Sequence, residues 1–238
     1  MTFARYISLF LVVAITLASS FSCSKKVDHM DDVLASLDTS KKYLALGDSY
    51  TIGQSVAPEE RFPNQVVHYL QDAQIKVQAP DIIATTGWTT RDLLNSLDNN
   101  TPRNNYSIVT LLIGVNNQYQ HRSLTEYKSE FTILLNRAIQ YAGNIKSHVF
   151  VLSIPDYSVT PFASGSDTAR IAREINDFNQ VNQDVSQLIG IKWIDITGIS
   201  REAKTNPALI ANDGLHPSGL QYKRWADLLA PIVKEAIR

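Results

Sequence analysis

Short apolar stretches alternate with longer amphipathic ones along most of this chain. The apolar stretches are too short for stable helices and favour strands over 43–46, 75–78, 82–84, 106–113, 148–154 and 191–196. Most of them are apolar at consecutive positions, which is typical of strands that are covered on both faces. The pattern therefore predicts a parallel sheet in the interior of the protein.

The amphipathic stretches repeat their apolar residues at helical spacing. They predict helices over 64–73, 91–97, 123–143, 167–188 and 218–237. The apolar residues expected to face inward in the last helix are Leu220, Trp225, Leu228, Leu229, Ile232 and Val233. Ser123 is a typical N-cap residue with Glu126 three positions later, and Gly143 is a typical helix end. Strands that alternate with helices indicate a three-layer α/β/α sandwich with a parallel sheet, in one domain from residue 42 to residue 238.

The first 22 residues have a different pattern and are excluded from this domain. Arg5 precedes an apolar run at 7–18, and small residues then lead to Cys23. This order is typical of an export signal peptide, and the run is shorter than the roughly 20 residues that span a bilayer. We therefore expect residues 1–22 to be a signal peptide.

Cys23 is the single cysteine of the chain, so no intramolecular disulfide can form. Its position resembles that of the lipidated cysteine of bacterial lipoproteins, although Ser20 stands where such sites usually have leucine. Residues 23–41 would then be a polar tether in the bacterial cell envelope. Cleavage near Ser20 or Ser22, with release of a periplasmic or secreted protein, is the alternative.

Charge and composition exclude several kinds of partner. The formal net charge is −1 and the pI is about 6.5, so no general attraction to nucleic acid or anionic lipid is expected. We expect membrane contact only through a lipid anchor. No pair of His or Cys residues has the short spacing of metal ligands, so we expect no metal and no organic cofactor.

The stretch at 43–53 holds the first candidate for chemistry. A short apolar strand ends at Gly47, which permits a sharp turn, and Ser49 follows at once. Open α/β sheets bind ligands at the carboxyl ends of their strands, where Ser49 is expected to lie. A Gly-Asp-Ser tripeptide by itself is also a common turn sequence.

A second candidate lies near the C-terminus, in the turn before the last predicted helix. Asp213 stands three positions before His216, so its carboxylate can reach one ring nitrogen while the other points away. Such a pair suits a general base, because the carboxylate fixes the tautomer and stabilises the imidazolium. The alternative is a helix-capping aspartate next to a surface histidine.

Four motifs stand in order along the predicted domain, and they are GDSYT at 47–51, the glycine at 87, GVN at 114–116 and DGLH at 213–216. In this order they resemble the motifs of the SGNH, or GDSL, hydrolase family. The resemblance covers the whole predicted domain. It implies a flavodoxin-like α/β/α fold and an esterase or lipase activity that needs no cofactor.

The resemblance also implies roles for individual residues. Ser49 would be the nucleophile, with Asp213 and His216 as the other members of a catalytic triad. The backbone N–H groups of Ser49 and Gly87 and the side-chain amide of Asn116 would form the oxyanion hole. Water would then hydrolyse the acyl-enzyme.

One position departs from the family's pattern. The third motif usually continues with an aspartate, and here Asn117 takes its place. The oxyanion donor is retained, so the departure puts the support of this loop in question more than the chemistry.

Two other functions compete with this interpretation. An α/β-hydrolase would need glycine at position 51 for its nucleophile turn, and Thr51 stands there. A non-catalytic exported binding module on the same fold is the other alternative, against which the complete set of Ser49, Asp213 and His216 argues.

The sequence leaves the substrate open. Five aromatic residues fall on or beside the predicted active-edge loops, where they would form a platform for a sugar or an acyl chain, or would only pack the loops: Tyr50, Trp88, Tyr119, Tyr157 and Phe162. Acyl groups on extracellular carbohydrates are one expectation. Lipase, lysophospholipase and thioesterase activities are the alternatives within the family.

Overall fold

The computed structural model describes residues 40–238. The predicted signal peptide, Cys23 and all but the last two residues of the predicted tether lie outside the described residues. Within residues 40–238, no helix is long and apolar enough to cross a membrane.

The described residues form a parallel sheet of five strands. The strands are β1 (Tyr43–Gly47), β2 (Asp81–Ala84), β3 (Ile108–Leu112), β4 (Val149–Leu152) and β5 (Lys192–Ile194). Their order across the sheet is β2-β1-β3-β4-β5, and every neighbouring pair is parallel. The chain reverses its direction of travel across the sheet between β1 and β3, which is the switch point where such sheets bind ligands.

Helices cover both faces of this sheet and confirm the predicted α/β/α fold. They are α1 (Ser49–Ile52), α2 (Phe62–Asp72), α3 (Thr90–Asn99), α4 (Val115–Tyr119), α5 (Leu124–Tyr141), α6 (Thr168–Ile189), α7 (Thr197–Arg201) and α8 (Gly219–Ala236). Helix α2 packs against α8, while α5 packs against α3 and α6. The Ser123 hydroxyl accepts a hydrogen bond from the Glu126 N–H, as the predicted N-cap requires.

Aromatic side chains fill the space between the helices in each layer. Phe62 of α2 lies 6.2 Å from Trp225 of α8 between ring centroids, and both side chains are fully buried. On the other face, the Tyr127 ring of α5 lies 4.8 Å from the Phe178 ring of α6. Such ring pairs stabilise the fold by more than the burial of their apolar area alone.

The structure corrects several details of the predicted elements. Residues 75–78 form no strand, because only a single bridge joins Lys41 to Val77 beside the sheet. His148 lies in a 3-10 turn before β4, and β5 is shorter than predicted. Leu220 and Leu228, expected to face inward, are 49% and 39% exposed because they lie beside the buried arc of α8.

Candidate active site

The site lies where β1 and β3 end at the same edge of the sheet. Ser49 begins α1 directly after β1, and Asn116 lies in α4 directly after β3. β1 and β3 are hydrogen-bonded neighbours, with Gly47 paired to Leu112. Two distant motifs therefore meet at the switch point of the sheet.

Gly47 allows α1 to pack directly on the end of the strand. A Cβ atom at this position would lie 2.1 Å from Thr51 Oγ1 and 2.4 Å from the Leu112 carbonyl oxygen. Only glycine fits such a close approach without movement of the backbone. Ser49 is the first residue of the helix that follows, so its N–H has no acceptor within that helix.

Asp48 stabilises the same turn from inside the protein. Its carboxylate accepts a hydrogen bond from the Tyr50 N–H at 3.0 Å and caps α1. The residue is only 1% exposed. Burial raises the pKa of Asp48 to about 7, against a smaller lowering by the backbone N–H donors.

Asp213 and His216 form the pair that their spacing predicts. His216 Nδ1 lies 2.6 Å from Asp213 Oδ2, and the imidazole is almost fully buried. The other carboxylate oxygen accepts hydrogen bonds from the N–H groups of Leu215 and His216. The turn therefore fixes the carboxylate by its own backbone and leaves His216 Nε2 as the nitrogen available for chemistry.

Ser55 contributes a further hydrogen bond to this pair. Its hydroxyl donates to Asp213 Oδ2 at 2.6 Å, across 158 positions of sequence, and its backbone has a φ of 66°. Partial burial alone would raise the pKa of Asp213. The bonds from Ser55, from the His216 and Leu215 N–H groups and from the imidazole outweigh burial and hold this pKa well below its usual range.

A small cavity connects the two halves of the site. Its volume is about 110 Å³, and it is lined by Ser49, Asn116 and His216 with the side chains of Tyr50, Val115, Tyr119, Tyr157, Phe162 and Leu215. No hydrogen bond joins Ser49 to His216 within the part of the chain that the structure describes. Catalytic hydrogen bonds are often long without substrate and tighten only in the complex.

Asn116 presents its amide at the edge of this cavity. One hydrogen of Nδ2 is directed at the Trp88 carbonyl, at 2.9 Å, which leaves the second for a ligand. Gly114, just before it, has a φ of 132°, and a Cβ there would lie 2.7 Å from Tyr127 and Ile154. The backbone that aims Asn116 thus requires glycine at position 114.

Gly87 is exposed and does not line the cavity. It sits in the turn between β2 and α3 with a φ of 85°, and its carbonyl accepts a long hydrogen bond from Gln120. Gly87 is not among the described residues that line the cavity. The structure brings Ser49, Asn116 and the Asp213–His216 pair together and leaves Gly87 outside the cavity lining.

The aromatic residues divide between packing and the cavity rim. Tyr50 is buried, and its ring lies 5.1 Å from the imidazole, where it supports His216. Tyr119, Tyr157 and Phe162 lie 6.0 to 6.3 Å apart between ring centroids, and we call these three the aromatic rim. Two of its members, Tyr119 and Phe162, are about half exposed at the mouth of the cavity.

Some residues in and behind the site carry no sequence signal. Ser55 lies in an ordinary turn, and nothing in its neighbourhood indicates a left-handed backbone or a contact with Asp213. Thr90 and Glu130, which support Asn117 from behind, look like a helix start and a solvent-facing helix residue. Within residues 40–238, no cluster of His, Cys, Asp or Glu has the geometry of a metal site.

The family of the chain follows from these motifs and a matching family model. The model described as the GDSL-like Lipase/Acylhydrolase family matches residues 45–224, which include every predicted site residue of the domain. The chain belongs to this family. It is therefore an enzyme of the esterase, lipase and acylhydrolase class, and the α/β-hydrolase and binding-module alternatives are set aside.

Solved structures of such hydrolases share this fold. The lipase/acylhydrolase from Enterococcus faecalis is 19% identical, with a TM-score of 0.64 over 83% of this chain and 97% of that one. The lipase Lip_vut3 from a goat rumen metagenome is 19% identical, with a TM-score of 0.66 over 81% and 97%.

A third similar structure is a variant of Axe2, an acetyl-xylooligosaccharide esterase from Geobacillus stearmophilus. It is 19% identical, with a TM-score of 0.59 over 83% of this chain and 94% of that one. No curated protein shows a significant sequence match to the chain. At these identities the structural neighbours support the fold alone.

Proposed function

We propose that this enzyme is a serine esterase that removes short acyl groups from carbohydrates through an acyl-enzyme intermediate. The observation that carries the proposal is the cavity in which Ser49, Asn116 and His216 meet. Asp213 is hydrogen-bonded to the Nδ1 atom of the His216 imidazole. Nucleophile, general base and oxyanion donor are the groups that acyl transfer needs.

In the first half of the reaction, Ser49 Oγ attacks the ester carbonyl carbon while His216 Nε2 takes its proton. Asp213, fixed by Ser55 and the backbone of its turn, stabilises the imidazolium that forms. The Ser49 N–H and the Asn116 amide, at the cavity, are proposed to stabilise the oxyanion, and the Gly87 N–H, in the turn that Asn116 contacts through the Trp88 carbonyl, is the proposed third donor.

Collapse of the tetrahedral intermediate expels the alcohol, which takes the proton from the imidazolium. Water then attacks the acyl-enzyme, and His216 again removes a proton and returns it to Ser49. The products are a carboxylic acid and an alcohol, with the enzyme restored.

The size of the cavity supports a small acyl group. At about 110 Å³ it is well below the roughly 300–1,000 Å³ of sites that enclose drug-sized ligands. The exposed rings of the aromatic rim lie at its mouth, where a larger alcohol portion such as a sugar would rest. Similarity to the acetyl-xylooligosaccharide esterase Axe2 is consistent with a carbohydrate ester.

The nucleophile is tested with single substitutions in purified protein. We expect Ser49→Ala to remove turnover of a nitrophenyl acetate and labelling by a fluorophosphonate. We expect Asn116→Ala to lower kcat by roughly 10²- to 10³-fold, because a transition-state donor is lost. Asn136→Ala, which removes an exposed amide on α5 that hydrogen-bonds only within its own helix, serves as the matched control. Esterase activity at the parent level in the Ser49→Ala protein would refute the assignment.

The substrate is tested by comparing acyl chains and alcohols. We expect kcat/KM to fall as the chain of the nitrophenyl ester grows from acetyl to decanoyl, and acetylated oligosaccharides to be deacetylated. Tyr119→Ala and Phe162→Ala should each raise the KM for the oligosaccharide more than the KM for nitrophenyl acetate. A preference for long acyl chains would reject the carbohydrate proposal in favour of a lipase.

We also propose that the enzyme is exported and anchored to the envelope by a lipid on Cys23. The supporting observation is the signal-like sequence that ends at this cysteine. Fractionation of cells should place the parent with membranes and the Cys23→Ser variant in the soluble fraction. A parent protein cleaved near Ser20 or Ser22 and free of lipid by mass spectrometry would show simple secretion instead.

A further inference from the structure

Asn117, which stands where the family usually has an aspartate, is bonded twice to one residue of a neighbouring helix. Its Oδ1 accepts a hydrogen bond from the Thr90 N–H at 3.0 Å, and its Nδ2 donates to Thr90 Oγ1 at 2.7 Å. Asn117 is fully buried, and Thr90 is the first residue of α3. The two bonds attach α4 to the start of α3.

The Thr90 hydroxyl connects Asn117 to a buried carboxylate by a second hydrogen bond. It accepts from Asn117, so its single proton is free to donate, and it forms a short hydrogen bond to Glu130 Oε2. Glu130 lies on α5 with a side chain only 3% exposed, and its Oε1 lies 2.6 Å from the Arg91 guanidinium. The hydrogen bonds therefore run from the Asn117 amide to the Thr90 hydroxyl and from that hydroxyl to the Glu130 carboxylate. Arg91 balances the negative charge of the carboxylate.

This row of hydrogen bonds supports the two segments that carry the proposed oxyanion donors. Asn116, next to Asn117, is bonded to the Trp88 carbonyl, and Gly87 precedes that residue in the same turn. Any shift of α4 against the start of α3 would change the spacing between the Asn116 amide and the Gly87 N–H. A misplacement of a fraction of an ångström is costly for donors that act on a transition state.

We propose that Asn117, Thr90 and Glu130 form one positioning unit for the oxyanion hole, in which the negative charge stands at position 130 instead of position 117. The inference rests on the proposed function for the role of the oxyanion donors. The direction of the hydrogen bonds decides the arrangement. A carboxylate at position 117 would face the Thr90 hydroxyl with a second acceptor, and that hydroxyl has one proton for two carboxylates.

The proposal predicts that the charge can be exchanged between the two positions. We expect Asn117→Asp to lower kcat by roughly 10- to 100-fold at pH 8 with little change in KM, because two carboxylates then compete for one proton. The double variant, which adds Glu130→Gln to Asn117→Asp, reverses the direction of these hydrogen bonds. The glutamine amide can donate to the Thr90 hydroxyl, and that hydroxyl then donates to the carboxylate at position 117. The double variant should recover kcat to within about threefold of the parent.

The pH profile separates this electrostatic conflict from ordinary damage to packing. The deficit of the Asn117→Asp enzyme should shrink between pH 8 and pH 5.5, because a proton bound by either carboxyl removes the conflict. Glu130 and Arg91 are the charged groups paired in this network, and Asp92, in the same turn of α3, hydrogen-bonds to Thr89 instead. Tyr157 and Glu174 approach the other side of α4 through Gln118 and do not hydrogen-bond to the positioning unit.

Thermal unfolding of the parent, the two single variants Asn117→Asp and Glu130→Gln, and the double variant at pH 8 and pH 5.5 provides a readout that needs no activity. If Asn117→Asp fails to fold at pH 8, the proposal requires it to fold at pH 5.5 and the double variant to fold at both. The matched control is Glu126→Gln, one turn earlier on α5 and partly exposed, which should not rescue Asn117→Asp.

Additive effects of the two substitutions, or a full deficit that persists at pH 5.5, would overturn the proposal. Failure of the proposed function would look different. An active Ser49→Ala enzyme would remove the oxyanion role, while the unfolding data would still report whether positions 117 and 130 are coupled.

Discussion

Two aspartates close to Ser49 lie in opposite environments. Asp48 is fully buried and accepts a single hydrogen bond from another residue, and its pKa rises to about 7. Asp213 is 29% exposed at its side chain and accepts four, and its pKa is held well below its usual range. Donors and solvent, more than distance from the nucleophile, decide which carboxylate is stable as an anion.

This difference accounts for the different roles proposed for the two aspartates. An imidazolium needs a partner that is ionised throughout the working pH range, and Asp213 meets that condition. Asp48 caps α1, which begins with Ser49, and gains little from ionisation because its site is dry. The comparison is therefore between a carboxylate that stabilises charge and one that shapes a turn.

The largest effect should come from removing the ionised member. We expect Asp213→Asn to lower kcat by roughly 10⁴-fold, since the imidazole loses both its tautomer control and its counter-charge. Kinetics with a nitrophenyl acetate measure the loss. Asp227→Asn, in an exposed ion pair on α8, is the control for a neutralised aspartate. A loss below tenfold would make the two aspartates equivalent and contradict the comparison.

The second effect concerns stability and should have a distinct pH dependence. The folded-state pKa of Asp48 is raised, so between pH 4 and pH 7 the unfolded chain releases this proton and the folded one keeps it. Native stability therefore falls as pH rises through this window. The Asp48→Asn protein cannot ionise at this position, so its free energy of unfolding should exceed that of the parent by up to about 4 kcal/mol at pH 7.

Urea unfolding at several pH values measures this gain. The gain should be absent near pH 4 and constant above pH 7. Asp213 has the opposite sign, because its lowered pKa adds stability above its unfolded-state value that is lost as pH falls. A stability difference for Asp48→Asn that does not vary with pH would show that its burial does not govern its charge.

The smallest effect should come from removing one donor from Asp213. Ser55→Ala and Ser55→Gly both delete the hydroxyl, and we expect both to lower kcat/KM by roughly 3- to 10-fold. Glycine accepts the φ of 66° without strain, so the Gly variant should be more stable than the Ala variant by about 1 kcal/mol. Equal activity in parent and both variants would mean that three donors suffice.

Sequence patterns anticipated the parts of the site that are built locally. The strand that ends at Gly47, the helix start at Ser49 and the Asp213–His216 turn each lie within a few residues, where spacing and residue type restrict the geometry. Helix periodicity also predicted α5 and α6 well. It misplaced Leu220 and Leu228, because a period indicates an apolar face but not how far the neighbouring element covers it.

The bonds that complete the site cross long stretches of sequence. Ser55 reaches Asp213 across 158 positions, and Thr90 reaches Glu130 across 40. The helical pattern assigns Glu130 no role, and the sequence indicates only that Asn117 puts the support of its loop in question. Neither observation predicts the hydroxyl that the two residues share, because hydrogen-bond direction depends on which side chains meet.

By itself, the sequence determined the α/β/α alternation and the order of the motifs, and the resemblance of those motifs to a known family indicated the residues proposed for the chemistry. The alternation follows from hydrophobic period and glycine freedom, which act between near neighbours. Only the tertiary structure decided in which direction the pKa of each aspartate is shifted, where the buried carboxylate behind the proposed oxyanion donors lies and how small the cavity is. Burial, donor count and enclosed volume are set by elements that meet in space, and no local pattern encodes them.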